Sequence, residues 1–322
     1  MAKRFKELET NKPAVVTALL VDVEERPTKN GGTYCRLTLS DGIDKIIANR
    51  WDVQAEALEP FKRGLVSAVV TAGVYQGSPS YTVSTLKEAP ATARIEDYIE
   101  SAPLSGEEMY KCILDILRSR LQAEGDHLLK LTERIYEDNK EKLLRWSAAK
   151  SVHHNCYGGL LYHTYRMMLA AKSLTDVYPL TSEVLLPAVA LHDIGKIEEL
   201  QTDELGVADY TNEGNLLGHT LLGIVMIDDT ARKLFGETLD EKTEDMLRQL
   251  KHAIAAHHGR LEWGALAVPA TREAMLLHEL DMIDSRMYQF EKIERDLAPG
   301  TMSDRVVTLD GARIYHPMYA RD

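Results

Sequence analysis

The sequence predicts a multidomain protein of α and β structure, in which a small β-barrel precedes an all-α domain. Residues 13–88 alternate apolar and polar residues between short turn clusters, a pattern typical of strands. From Ser105 onward, apolar residues recur at helical intervals instead. The chain has 322 residues, which is enough for two domains.

Five strands are predicted in the first part of the chain, over 14–23, 33–39, 43–48, 65–74 and 81–86. The Asn30-Gly31 pair between the first two strands is a strong hairpin signal. A short helix is predicted over 52–61, between the third and fourth strands. Five strands with a helix at that position follow the element order of an OB-fold barrel. A small β-sandwich of another kind is the alternative.

The pattern changes after a segment that contains Pro90 and Pro103. We expect a barrel domain over 1–90, a linker with a connecting helix over 91–125, and a helical domain over 126–322. Ser105 and Glu108 have capping-box spacing at the start of the connecting helix. Further helices are predicted at about 127–146, 159–175, 182–194, 217–235, 241–257 and 271–292.

The charge is distributed unevenly along the chain. The net charge is −12, but residues 1–90 hold 12 basic and 11 acidic residues, so the remainder carries −13. An acidic excess is compatible with a metal enzyme, because bound cations offset part of it locally. No stretch approaches the roughly 18 apolar residues of a membrane span, and the N-terminus lacks a signal-peptide core. We therefore expect a cytoplasmic protein without a membrane partner.

Histidines and aspartates form one ordered set at the ends of predicted helices. The members are His163, His192-Asp193, His219, His257-His258 and Asp281. Each member alone is more often structural, and His-His-Gly is also a simple way to end a helix. The complete set indicates a metal site, because imidazole and carboxylate ligands suit first-row divalent ions.

Neighbouring residues on a helix point about 100° apart, so His192 and Asp193 can hold one ion together. His163 and Asp281 complete the ligands of that ion. The second oxygen of Asp193 is then free to bridge to another ion, held by His219, His257 and His258. A two-metal site of this kind activates water and neutralises a phosphoryl group.

Some further residues have both a functional and a structural interpretation. Lys196, one helical turn beyond His192, either stabilises charge on a phosphate or is a solvated lysine. His154 either lines the pocket or belongs to an exposed loop. Asp284 either supports the ligands or is a surface charge. The remaining histidines that lack partners in the sequence are interpreted as structural: His127, His252, His278 and His316.

Candidate nucleic-acid contacts in the barrel are Lys29, Tyr34, Arg36 and Trp51. Aromatic faces stack on the bases of single strands, and cations follow the phosphates. The alternative for Tyr34 and Trp51 is that they pack the barrel.

The ordered set resembles the HD-domain phosphohydrolase superfamily, and nearly the whole chain is similar to the YhaM-type 3′→5′ exoribonucleases. The segments that carry this resemblance are Gly158-Gly159-Leu160-Leu161 before His163, then His192-Asp193-Ile194-Gly195-Lys196, His257-His258-Gly259 and the tail 309–317. The resemblance implies an OB-fold domain joined to an HD domain. It also implies one or two divalent transition metal ions, with Mn expected and Fe, Co, Ni, Zn or Mg as options.

The function implied is metal-dependent 3′→5′ hydrolysis of single-stranded RNA, with DNA as a second option, to nucleoside 5′-monophosphates. Asp193 and Lys196 are the expected catalytic residues. One alternative is a phosphodiesterase or nucleotidase for a small nucleotide, in which the barrel regulates or mediates assembly into a homo-oligomer. Another is a non-catalytic protein that binds single strands.

Overall fold

A computed structural model describes residues 4–28, 31–75, 77–121, 127–150, 154–203, 205–236 and 238–319. The chain divides into two compact units. The first comprises Met1–Ser101 with Glu204–Gly206, and the second comprises Ala102–Asp203 with Val207–Asp322. Every helix in the described part of the chain is too short or too polar to cross a bilayer.

The first unit is a closed barrel of five strands. These are β1 (Pro13–Pro27), β2 (Thr33–Ser40), β3 (Lys45–Trp51), β4 (Leu65–Tyr75) and β5 (Ser78–Glu88). Their order around the barrel is β1-β2-β3-β5-β4, with β3 and β5 parallel and the other pairs antiparallel. The barrel resembles an OB-fold, so this part of the predicted fold is confirmed.

The segment between β3 and β4 differs from the helix predicted over 52–61. It forms two short 3-10 helices, Ala55–Ala57 and Glu59–Phe61. Pro60 lacks the backbone N–H that a continuous α-helix would donate to the carbonyl of residue 56. The predicted helix was therefore wrong in type, although the segment does turn helically.

The second unit is built from nine described helices and one short hairpin. The helices are α1 (Gly106–Arg120), α2 (His127–Asp138), α3 (Lys140–Leu143), α4 (Gly159–Leu174), α5 (Ser182–Leu191), α6 (Lys196–Glu199), α7 (Asn212–Phe235), α8 (Glu241–Ala256) and α9 (Arg272–Asp296). The hairpin pairs β6 (Leu200–Thr202) with β7 (Ala208–Tyr210). Neither α6 nor this hairpin was predicted, because three or four residues are too few to show a periodicity.

Hydrogen bonds of single side chains mark the start of one predicted helix and the division of another. Ser105 and Glu108 form the predicted capping box at the start of α1. The helix predicted over 127–146 instead divides at Asn139, whose side chain donates a hydrogen bond to the carbonyl of Ile135. Helix α1 contributes to the hydrophobic core of the second unit, so it is more than a connection.

Helix α5 lies at the centre of the second unit. Its side chains from Val184 to Leu191 are all buried, and α2, α4, α8 and α9 pack around it. A helix that is apolar on every side is stable in such a position. The polar residues that follow its last turn are therefore placed in the interior, where the other helices meet.

Candidate metal centre

Five helices bring the predicted ligands together. His163 lies on α4, His192 and Asp193 follow the last turn of α5, and His219 lies on α7. His257 and His258 follow α8, and Asp281 lies on α9. The side chains of His163, His192, Asp193 and His257 are buried, and those of His219, His258 and Asp281 are partly buried.

The first group of ligands comprises His163, His192 and Asp281. One ligand atom from each lies within 4.8 Å of the others. The Nε2 atom of His163 is 3.2 Å from Nε2 of His192 and 3.3 Å from Oδ1 of Asp281. Oδ2 of Asp193 is 3.3 Å from Nε2 of His192, so one oxygen of that carboxylate faces this group.

The second group comprises His219, His257 and His258, whose ligand atoms also lie within 4.8 Å of one another. Nε2 of His219 is 3.4 Å from Nε2 of His257. The other oxygen of Asp193, Oδ1, is 3.4 Å from Nε2 of His219 and 3.8 Å from Nε2 of His257. The two oxygens of Asp193 therefore face two different groups of ligands.

Backbone carbonyls determine which ring nitrogen of His192 and of His257 is available to bind a metal ion. Nδ1 of His192 donates to the carbonyl of Val189 at 2.9 Å, and Nδ1 of His257 donates to the carbonyl of Ile254 at 2.6 Å. A neutral imidazole has one donor and one acceptor nitrogen, so Nε2 of each ring carries a lone pair. Both lone pairs lie inside the cluster, as divalent metal ligands require.

Two carboxylates outside the predicted ligand set orient the histidines. Oδ2 of Asp284 is 2.7 Å from Nδ1 of His163, and both oxygens of Glu199 are 3.1 Å from Nδ1 of His219. Such partners fix the ring and its tautomer in metal sites. The sequence left Asp284 open between supporting the ligands and being a surface charge. It did not identify Glu199 as a functional residue. The one indication in the sequence was that Glu199 lies only a few residues after His192 and Asp193.

His278 also has a contact that the sequence did not reveal. Its Nδ1 donates to the carbonyl of His257 at 2.8 Å, which links α9 to the end of α8. Gly259 permits this contact, because a Cβ at that position would lie 2.3 Å from the His278 ring. Gly259 also has a φ of 77°, which favours glycine.

The electrostatics of the first group favour a positive charge at its centre. Burial lowers the pKa of His163, but hydrogen bonds to Asp281 and Asp284 outweigh burial and raise the pKa to about 10. The pKa of Asp281 lies well below its usual range, since its hydrogen bond to His163 outweighs burial. A proton on His163 supplies this positive charge, and a metal ion would supply it equally well.

His257 and His258 of the second group favour the neutral form instead. Burial, followed by the neighbouring His258, lowers the pKa of His257 well below its ordinary value. Burial and His219 lower the pKa of His258. Between the groups, burial opposes ionisation of Asp193, but Lys196 and His192 hold its pKa well below the usual range. An ionised carboxylate beside neutral imidazoles is a donor set that fits a divalent ion.

Two other predicted residues lie close to these ligands. Nζ of Lys196 donates to Oδ2 of Asp193 at 2.7 Å, and both side chains are buried. His154 is fully buried behind His163, where its Nε2 is 2.8 Å from Oδ2 of Asp284. His154 therefore contacts the carboxylate that orients His163.

The predicted barrel contacts lie in the first unit. Tyr34 on β2 pairs with Trp51 on β3, and their ring centroids are 4.7 Å apart. Trp51 is 50% exposed, and the barrel core is formed by other residues. The guanidinium of Arg36 is 3.9 Å from Glu24, so its charge is partly compensated. Lys29 lies outside the described residues.

The chain is similar to known proteins over almost its full length. The HD domain family model matches residues 160–286. The 3′-5′ exoribonuclease YhaM of Halalkalibacterium halodurans is 30% identical over 309 residues, which cover 94% of this chain and 92% of that protein. The 3′-5′ exoribonuclease YhaM of Geobacillus sp. is 28% identical over 324 residues, which cover 99% and 97% respectively.

Among solved structures, the second OB-fold domain of replication protein A from Methanococcus maripaludis is 16% identical. It covers 29% of this chain and 100% of that domain, with a TM-score of 0.22. The OB-fold assignment of the first unit rests on its strand order. The HD family match confirms the second half of the predicted fold class, a helical HD domain after the barrel.

Proposed function

The chain belongs to the family of 3′-5′ exoribonuclease YhaM, and from that premise we propose which residues carry out its reaction and what the reaction releases. It is a metal-dependent 3′-5′ exonuclease that acts on RNA. Its products are nucleoside 5′-monophosphates. Water adds to the scissile phosphorus, the bond to the 3′ oxygen of the preceding nucleotide breaks and that oxygen takes up a proton, so the phosphate stays on the 5′ oxygen of the released nucleotide. Single strands are the substrate, and DNA is a second substrate to be tested.

Two divalent ions occupy the centre in this proposal. His163, His192, Asp193 and Asp281 would hold one, and His219, His257, His258 and Asp193 would hold the other. When bound, such ions activate water and neutralise charge on the phosphoryl oxygens. The observation that supports two ions is the carboxylate of Asp193, whose separate oxygens lie 3.3 Å from His192 and 3.4 Å from His219.

Lys196 acts beside the metals. Its ammonium lies 2.7 Å from Oδ2 of Asp193, so it restrains a carboxylate that would serve both ions. It also adds a fixed positive charge next to the position where a phosphate must lie. Donors that are already oriented stabilise charge that develops in the transition state without a cost of reorganisation.

Manganese is the proposed metal, and Fe, Co, Ni, Zn and Mg are alternatives with the same oxygen and nitrogen ligands. Tyr34 and Trp51 are proposed to stack on bases of the strand, with Arg36 and Lys29 near its phosphates. Assembly into a homo-oligomer and a cytoplasmic location stay predictions.

The test uses a single-stranded RNA labelled at its 5′ end, incubated with and without Mn²⁺ and resolved on a gel. We expect a ladder that shortens from the 3′ end only when metal is present, with nucleoside 5′-monophosphates identified by mass spectrometry. The Asp193→Asn variant should lose about 10³-fold or more in rate, because two-metal catalysis supplies several kcal/mol. It should also contain less metal by elemental analysis.

Asp176 is exposed and pairs with Arg120 rather than with a candidate ligand, so Asp176→Asn is the matched control and should keep its rate. Internal cleavage of the labelled strand, or full activity of Asp193→Asn in chelated buffer, would rule out the proposal.

A further inference from the structure

A cavity of about 360 Å³ opens directly onto the candidate ligands. Its lining includes Lys196 together with candidate ligands from both groups. Trp263, Arg286, Thr308 and Asp310 also line it. This volume lies at the small end of the about 300–1,000 Å³ typical of small-molecule sites. It suits one nucleotide unit rather than a longer piece of strand.

Trp263 provides an aromatic surface in this cavity. It ends the 3-10 helix Leu261–Trp263, and 46% of the residue is exposed. The guanidinium of Arg260 lies 4.6 Å from the ring centroid and supports the indole from outside the cavity lining. The next residue, Gly264, runs close to the ligands, since a Cβ there would lie 3.6 Å from Nδ1 of His258.

Arg286 provides a cation in the lining of the same cavity. It lies on α9, and its guanidinium is 3.7 Å from Oδ2 of Asp310. The side chains of Arg286 and Asp310 are 49% and 94% exposed, so their ion pair contributes little to stability. A phosphate would bind the guanidinium more strongly, through two parallel hydrogen bonds.

Asp310 is carried by a C-terminal segment that is fastened to α9. The segment folds back on itself through the pairs Met302–Tyr315 and Val306–Ala312. Thr308 donates a hydrogen bond to Oε1 of Gln289 at 2.5 Å. This part of the cavity lining is therefore a built surface, formed by α9 and this segment.

We infer that the cavity is the binding site for the 3′-terminal nucleotide of the substrate. Trp263 stacks on its base, and Arg286 binds a backbone phosphate. In the absence of substrate, Asp310 pairs with the guanidinium of Arg286. This inference rests on the proposed function, because it requires a strand that enters by its 3′ end. It predicts that cleavage depends on the presence of a base on the last nucleotide but not on which base it is.

The first experiment needs only the wild-type holoenzyme with Mn²⁺. Three RNAs labelled at the 5′ end are compared, one intact, one with an abasic ribose at the 3′ terminus, and one with the abasic ribose four nucleotides inside. We expect kcat/KM for the first cleavage to fall about tenfold for the terminal abasic RNA, the equivalent of one base–aromatic stack. The internal abasic RNA should behave like the intact strand in that first cleavage.

Trp263→Ala should remove this discrimination. The variant should cleave the intact RNA about as slowly as wild type cleaves the terminal abasic RNA, and Trp263→Phe should retain part of the preference. The matched control is Leu261→Ala, an exposed residue of the same 3-10 helix that does not line the cavity.

Arg286→Ala and Asp310→Asn should act in opposite directions. Loss of one phosphate contact should reduce the slope of log kcat/KM against log salt by about 0.7 in Arg286→Ala. Asp310→Asn should lower KM by about two- to fivefold, the equivalent of freeing the guanidinium from an exposed pair.

These experiments distinguish a failure of the proposed nucleotide site from a failure of the proposed exonuclease activity. If wild type shortens intact and terminal abasic RNA equally well, the terminal base is not held in this cavity, although the enzyme is still a 3′-5′ exonuclease. If Trp263→Ala keeps the full discrimination, another residue is the platform and the assignment is overturned. If no RNA is shortened from its 3′ end at all, the proposed function itself fails.

Discussion

At the scale of single residues, Asp284 shows how a side chain outside the predicted ligand set can orient one within it. It is buried on α9, one turn after Asp281, and contacts Nδ1 of His163 at 2.7 Å. Its other oxygen is 2.6 Å from Nε of Arg166. The carboxylate thereby turns Nε2 of His163 toward the other ligands.

Asp284→Asn should therefore weaken metal binding by about 10–100-fold, the usual effect of losing such a partner. Excess Mn²⁺ should restore most of the rate, because the ligands themselves remain. His163→Ala should not be restored in this way. The measurement is the rate as a function of Mn²⁺ concentration. Glu291→Gln, which alters the other partner of Arg166, is the control. An unchanged Mn²⁺ dependence in Asp284→Asn would contradict the positioning role.

His219 distinguishes one bound ion from two. It belongs only to the second group, and Glu199 orients it from Nδ1. His219→Ala should lower the metal content by about one ion per chain while the first group keeps its ion. Anomalous scattering from crystals at the metal absorption edge, together with elemental analysis, measures this directly. A single peak in metal-saturated wild-type crystals, with His219 uncoordinated, would rule out the two-ion site.

At the scale of elements, the turn between β2 and β3 depends on one buried carboxylate. Asp41 accepts backbone hydrogen bonds from Phe5 at 2.7 Å, Ile43 at 3.0 Å and Asp44 at 2.8 Å. Burial opposes its ionisation, but these hydrogen bonds and Arg4 outweigh burial and lower the pKa of Asp41. The ionised form therefore fastens the N-terminal segment to the barrel.

A lowered pKa makes the contribution of Asp41 to stability depend on pH. The contribution is complete above the unfolded value of about 3.9 and is lost as the pH falls through the folded value. At pH 6, Asp41→Asn should destabilise the protein by about 1.5–3 kcal/mol, as expected for hydrogen bonds to a charged group. Below pH 4 the difference from wild type should shrink. Urea unfolding at a series of pH values tests this, with the exposed Asp44→Asn as control. A difference that stays constant down to pH 3 would contradict it.

Close packing of elements also sets the shape of the metal centre. Gly195, between α5 and α6, lies against α7, and a Cβ there would be 2.0 Å from the carbonyl of His219. A larger residue would push α7 away from Asp193. The glycine in the His-Asp-Ile-Gly-Lys sequence thus keeps the second group of ligands near the first.

At the scale of the whole molecule, we expect the second unit to carry out hydrolysis and the first unit to bind long single strands. All candidate ligands lie in the second unit, whereas Tyr34 and Trp51 lie in the first. A chain that begins at Ala102 should still hydrolyse a very short oligonucleotide or a nitrophenyl phosphodiester. It should lose affinity for long single strands, since each stacked base contributes about 1–3 kcal/mol.

The measurements are KM on a dinucleotide and on a long RNA, for the truncated and the full-length chain. Trp51→Ala in the full-length protein should reproduce part of the loss on long RNA only, and Ile47→Ala, exposed on the same strand, is its control. If the truncated chain degrades long RNA as well as the full-length protein does, the barrel does not hold the substrate. A role in regulation or assembly would then be the better interpretation.

The sequence by itself determined the fold class and indicated the candidate ligands. The alternation in 13–88 and the helical repeats after Ser105 are local properties, and so is the affinity of imidazole and carboxylate for divalent ions. Only the tertiary structure decided how these ligands are used. That Glu199 and Asp284 contact histidines of the candidate site, and that Trp263 and Arg286 line one cavity, depends on which helices pack together. Contacts between residues far apart in the chain follow from packing of the whole core around α5, which no local pattern encodes.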